Sequence, residues 1–173
     1  MISGGPTKGE IIAIALDKLD LRNHETFADI GCGTGSVSIA ASRKTKKVIA
    51  VDKRSAAIDA AQHNFSEMGF SGRVTLLLGE APDVLQGYEN AIDKAFIGGT
   101  RNFKRTIDFL VPHCTRFVLN AARLEVTADA IGYMKEIGVF EEALLVNVAK
   151  GHELESFTAF APYNPVFMVV GSC

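Results

Sequence analysis

The run Asp29-Ile30-Gly31-Cys32-Gly33-Thr34-Gly35, followed downstream by Asp52, is the part of the chain whose residue types and spacing could do chemistry. Glycine belongs where a side chain would obstruct something, so three glycines in five positions leave bare backbone for a ligand to lie against. A helix opening after Gly35 would turn its first N–H groups toward the same place. A dinucleotide fingerprint, G-x-G-x-x-G, would put its third glycine at position 36, where this chain has Ser36. Asp29 would repel a diphosphate but would accept from an ammonium. Asp52 stands seventeen residues beyond Gly35. At the tip of a second strand it could take both hydroxyls of a ribose as bidentate hydrogen bonds. An ammonium acceptor and a diol acceptor on either side of bare backbone point to S-adenosylmethionine.

These residues need a scaffold, and the chain alternates strand and helix throughout. An apolar stripe predicts a first helix over Thr7–Leu19, with Thr7 and Glu10 as a capping box. Strands are expected at Thr26–Ile30, Lys46–Asp52, Arg73–Ala81, Ala91–Gly99, Arg116–Ala122, Phe140–Lys150 and Pro165–Cys173. Helices are expected at 35–43, at Ser55–Gly69 with an N-cap serine, at 101–110 and at 124–138. The pattern implies an α/β fold with a Rossmann-like, doubly wound, mostly parallel sheet of seven strands. The last two strands have no helix between them, so they should form a C-terminal antiparallel hairpin. With no linker or repeat visible, residues 1–173 read as one domain.

The D-x-G-x-G-x-G loop followed by a strand-two acid resembles the class I S-adenosylmethionine-dependent methyltransferases, over the whole chain. The flanks narrow the resemblance. GGPTKGEI at the start, Gly79-Glu80-Ala81-Pro82, Gly98-Gly99-Thr100 and NVAKGHEL with NPVFMVVG at the end together resemble the decarboxylating precorrin C15-methyltransferases of cobalamin biosynthesis. Three positions depart from the commoner family pattern: Glu80 stands for an aspartate, Asn120-Ala121 for threonine-alanine, and Arg101-Asn102 for a Gly/Ser-rich turn. The resemblance implies S-adenosylmethionine as methyl donor and S-adenosylhomocysteine as product. It implies cofactor contacts from Thr7, the loop residues Asp29, Gly31, Cys32, Gly33, Thr34 and Gly35, then Asp52, Glu80 and the backbone N–H of Ala81. It also suggests a homotetramer. The family occurs both free-standing and as the C-terminal half of a two-methyltransferase fusion, and the chain is expected to be such a half. Cys32 reads as small filler in the loop, and no covalent nucleophile is expected.

Charge bears on the substrate. From Thr100 to Arg123 five cations face one acid, Asp108, in a chain of net charge −2. Arg116 opens a strand at the far end of the sheet and reads as structural. Arg101, Lys104, Arg105 and Arg123 follow strands on the cofactor side, where arginine can grip carboxylates bidentately. Lys150 and His152, after the sixth strand, complete a candidate mouth for a polycarboxylate such as a precorrin with its acetate and propionate arms. No broad basic footprint advertises nucleic acid. The tip of strand four, FIGGT, also lacks the Asn/Asp-Pro-Pro-aromatic motif that methylates planar nitrogens. Methylation of RNA or protein, and a non-catalytic cofactor-binding module, are the alternatives. Three scattered cysteines without metal-ligand spacing suit a reducing cytoplasm, and no metal site or membrane segment is expected. The apolar final strand, at a sheet edge, or the amino-terminal helix would support homo-oligomer contacts.

Overall fold

The computed structural model describes residues 5–173, so Gly4 of the GGPTK stretch lies outside the described residues. Seven strands form one sheet: β1 (Thr26–Ile30), β2 (Lys47–Asp52), β3 (Val74–Leu78), β4 (Lys94–Ile97), β5 (Arg116–Ala121), β6 (Phe140–Val146) and β9 (Val166–Ser172), in the order β3-β2-β1-β4-β5-β9-β6. A separate two-stranded ribbon pairs β7 (Ala149–Leu154) with β8 (Phe157–Pro162). The helices are α1 (Gly9–Leu19), α2 (Ser36–Ala41), α3 (Ser55–Glu67), α4 (Ala81–Val84), α5 (Phe103–Leu110) and α6 (Leu124–Glu136).

Strand alternation sorts the core into two layers. Phe27, Val48, Phe96 and Val118 point one way, under α1 and α2. Ala50 packs with α3 on the same side. Ala28, Ile30, Ile97, Phe117 and Leu119 point the other way, against α4, α5 and α6. Strands buried on both faces are what a parallel sheet covered by helices requires. β1 to β5 pair in parallel as expected.

Several local expectations change, among them the strand Arg73–Ala81, which ends at Leu78 and gives Ala81 to the helix α4. The helix opening at Gly9 has Lys8, not Thr7, at its N-cap, with no side-chain cap bond. Glu10 instead pairs with Lys150 at 2.8 Å, so the capping box is absent. Ser55 is the first residue of α3, and Arg54 holds the cap position. The expected strand Phe140–Lys150 stops at Val146, and its remainder enters the ribbon. The final strand is antiparallel to β6, as expected, but the ribbon intervenes in sequence. β9 sits inside the sheet between β5 and β6, not at an edge. This explains why β9 is apolar on both faces: Met168, Val169 and Val170 are buried by the chain's own layers.

Candidate active site

Strand order reverses between β1 and β4, with the chain leaving this switch point in opposite directions. Ligand crevices in open α/β sheets form at this place, outside the carboxyl ends of the strands. Here the loop after β1 meets the loop after β4. A Cβ on Gly31 would lie 2.6 Å from the Gly99 nitrogen, and Gly31 has φ +79°. Only glycine satisfies both demands. The Gly31 and Cys32 amides donate to the Val51 carbonyl at 2.8 and 2.9 Å, fastening the loop to β2. Beside Gly33 (φ +56°) a Cβ would meet nothing within 4 Å, so its face is open.

Two cavities adjoin across this loop. The larger, about 340 Å³, runs from Gly31 past Asp52 to Gly79, Glu80 and Ala81, and is bounded by Gly98–Asn102. The smaller, about 150 Å³, is lined by Pro6, Thr7, Asp29, Gly33, Thr34 and Ser36 among others. Gly31, Arg54 and Gly98 border both and form the neck.

Asp29 lies near the end of β1, fully buried. Its Oδ2 accepts from the Ser38 N–H at 2.9 Å and the Ser38 hydroxyl at 2.5 Å. Its Oδ1 is buried without a hydrogen-bond partner among the described residues. Burial pushes its pKa up to about 6; the Ser38 bonds work against this and the Asp52 charge adds to it. A buried, unpartnered carboxylate oxygen is costly, and a donor arriving from the smaller cavity would satisfy it.

Asp52 behaves oppositely. Burial acts to raise its pKa, but bonds from Arg54 and Gly33 overcome this and hold it below the usual carboxylate range. The carboxylate accepts from the Gly33 amide at 3.0 Å, the Arg54 amide at 3.0 Å, Arg54 Nε at 3.0 Å and Arg54 Nη2 at 2.9 Å. Glu80 pairs with Lys53 at 2.9 Å on the wall of the larger cavity. Ala81 follows as the first residue of α4, where the helix itself offers its N–H no acceptor. Cys32 is packed with Ala50, Ala61 and Phe65, and burial drives its thiol pKa far upward. It has the surroundings of a filler residue, not of a thiolate.

The cations expected at the mouth divide. Arg101 lines the larger cavity, and with Arg123 it lines an adjoining open groove of about 600 Å³. Lys104 is paired with Asp129 at 2.7 Å, and Arg105 with Asp83 at 2.5 Å. Lys150 and His152 lie on the ribbon, outside both cavities and that groove. Arg116 pairs with Glu141 at the opposite end of the sheet, as its structural reading required. The motifs did not reveal Arg54 or Ser38. The only trace of Ser38 was a small polar residue facing an acid nine positions away, and Arg54 was visible merely as a charge after Asp52.

Around one neck the site gathers a buried acid with an unpartnered oxygen, bare backbone, a second acid held by Arg54 and a lobe ending at a backbone N–H. With its 3-2-1-4-5 core and antiparallel last strand, this is the class I methyltransferase fold. Within that class the chain belongs to the precorrin methyltransferase family: residues 3–171 match the model of the precorrin methyltransferase domain. A protein of Methanosarcina acetivorans named probable cobalt-precorrin-6B C(15)-methyltransferase (decarboxylating) is 43% identical over 98% of this chain and 95% of its own length. The crystal structure of precorrin 8W decarboxylase from Methanobacterium thermoautotrophicum superposes with a TM-score of 0.92 at 25% identity, covering 98% of this chain and 93% of the other. That of precorrin-6y C5,15-methyltransferase from Geobacter metallireducens gives 0.88 at 29% identity, covering 96% and 90%. The chain is a methyltransferase.

Proposed function

We propose that the chain methylates a precorrin at carbon 15, using S-adenosylmethionine, with loss of an acetate carboxyl as carbon dioxide. The observation that carries the cofactor assignment is that Asp29, whose buried Oδ1 is unpartnered, borders one lobe and Asp52 borders the other across the glycine neck. The ammonium of the amino-acid end fits against Asp29 near Thr7 and Thr34. The ribose hydroxyls fit on Asp52, and the adenine lies toward Glu80 with the Ala81 N–H as donor. Gly31, Gly33 and Gly35 keep side chains out of the path, and Cys32 fills space behind it.

Bound there, S-adenosylmethionine supplies a methyl group already activated on a sulfonium. The protein's part is placement, which can lower a barrier by about 7–11 kcal/mol. A conjugated tetrapyrrole carries its own nucleophilic carbon. It also accepts the electron pair released when the carboxylate leaves as carbon dioxide, so no covalent nucleophile is needed from the chain. Arg101 and Arg123 face the groove beside the cofactor cavity and hold the substrate's carboxylates. Lys104 and Arg105, engaged by acids, contribute to the field, and Lys150 and His152 reach the substrate only if the ribbon folds over it.

The partner proposed beside the substrate is a second copy of the chain. β9 is buried within its own sheet, so the contact falls instead on the ribbon. There Leu154, Phe157 and Phe160 are large, apolar and exposed, the kind of patch that marks an interface. Among the described residues no helix is long and apolar enough to cross a membrane.

The test is methyl transfer from labelled S-adenosylmethionine to precorrin substrates with and without cobalt, compared with bulk RNA and protein. One methyl gained and one carbon dioxide lost per precorrin is expected. Label entering RNA or protein, with none in the precorrin, would overturn the assignment.

A further inference from the structure

A carboxylate offers about four lone-pair positions to donors. On Asp52 all four are taken, by the amides of Gly33 and Arg54 and by Nε and Nη2 of Arg54. The two amide bonds belong to the backbone: Gly33 sits in the glycine loop and Arg54 caps α3. They stay whenever the fold is intact. The two guanidinium bonds come from a side chain that is 41% exposed, while the Asp52 side chain is 3% exposed. The acceptor is therefore fixed and the donor stands at the opening. Arg54 borders both cavities, so its head lies beside the acid that the hydroxyls of a ligand spanning them would reach.

Resting on the assignment of Asp52 to a ribose, we propose that Arg54 sets cofactor affinity by occupying the diol's place. Two of its guanidinium N–H groups hold the two acceptor positions that two ribose hydroxyls need, and cofactor binding is a two-for-two exchange on Asp52. The exchange keeps a buried carboxylate paired in both states, which an empty acid at that depth would not be. Lys53 does not share the task, because Glu80 holds it at 2.9 Å. Arg54 is thus a positioning residue that acts through Asp52, and its influence depends on the ligand's hydroxyls.

The test is calorimetry of S-adenosylhomocysteine and its 2′,3′-dideoxy analogue on the wild type and Arg54→Met, each with its melting temperature. Arg54→Met should bind S-adenosylhomocysteine about fivefold more tightly, the factor matching ~1 kcal/mol for a half-exposed ion pair. Its affinity for the dideoxy analogue should be unchanged. Arg54→Lys, which keeps the charge but not the two-pronged donor, should gain less, and it serves if Arg54→Met does not fold. Three results would overturn the proposal. An unchanged or weaker S-adenosylhomocysteine affinity, with the wild type still preferring the hydroxylated ligand, rejects Arg54's role and leaves Asp52 on the ribose. An equal gain for both ligands shows a general charge effect instead of an exchange. A wild type that binds both ligands equally rejects the ribose assignment, and the proposal falls with it.

Discussion

Replacing Asp29 by asparagine should stabilise the protein while weakening its cofactor site, and the size of the gain should depend on pH. The carboxyl rises from 3.8 to about 6 on folding, chiefly through burial. At ~1.36 kcal/mol per pKa unit, its ionised form costs about 3 kcal/mol of stability in neutral solution. The sign follows from a folded pKa above the unfolded one. Wild-type stability is complete below about pH 4, falls as pH rises through the window from 3.8 to about 6, and is flat above it. The side-chain amide of the Asp29→Asn variant would keep the oxygen that accepts from Ser38 and would not titrate. The variant should therefore gain about 3 kcal/mol at pH 8 and about half of that at pH 5. At about 2–4 °C per kcal/mol for a chain of this size, thermal denaturation should show the difference clearly. The same substitution presents an amide N–H₂ to an ammonium, and calorimetry at pH 8 should read at least about a tenfold loss of S-adenosylmethionine affinity. In the wild type that affinity should fall as pH drops below about 6. A variant no more stable than wild type at pH 8, or equally stabilised at both pH values, would refute the burial argument. Unchanged cofactor affinity would refute the ammonium assignment.

Three further outcomes are expected. Asp52→Ala removes two hydroxyl acceptors worth about 1.5–3 kcal/mol each, less the cost of displacing Arg54, and calorimetry should show at least about a tenfold weaker cofactor. Arg123→Ala should raise KM for the precorrin or lower turnover with cofactor affinity nearly intact; equal loss of both would move Arg123 out of the substrate groove. Cys32→Ala should stay active, with at most a modest loss of stability from the small cavity, about 1–2 kcal/mol; an inactive, folded, cofactor-binding variant would contradict a placement mechanism.

What could be read from the chain alone follows from interactions that are local or periodic. Three glycines with positive φ mark the loop because the strain sits in each residue's own backbone. Strand alternation and helical stripes announce an α/β sheet because burial repeats with a fixed period. The register of Asp29 and Asp52 at the tips of β1 and β2 follows from the same counting. Partner choice between distant residues has no such period, and there the tertiary structure decided. Thr7 and Glu10 had the spacing of a capping box, but Lys150 on the ribbon took Glu10. The apolar final strand could have lain at an edge; the sheet order placed it between β5 and β6, where both its faces are buried. Lys104 and Arg105 looked available for carboxylate substrates until Asp129 and Asp83, from α6 and α4, met them. The states of the two site acids were decided in the same way. Asp29 and Asp52 are the same residue type near the tips of neighbouring strands, yet packing leaves one with an empty acceptor and gives the other an arginine. Sequence names the acids, and only the fold's long-range contacts determine which is short of a donor and which must exchange one.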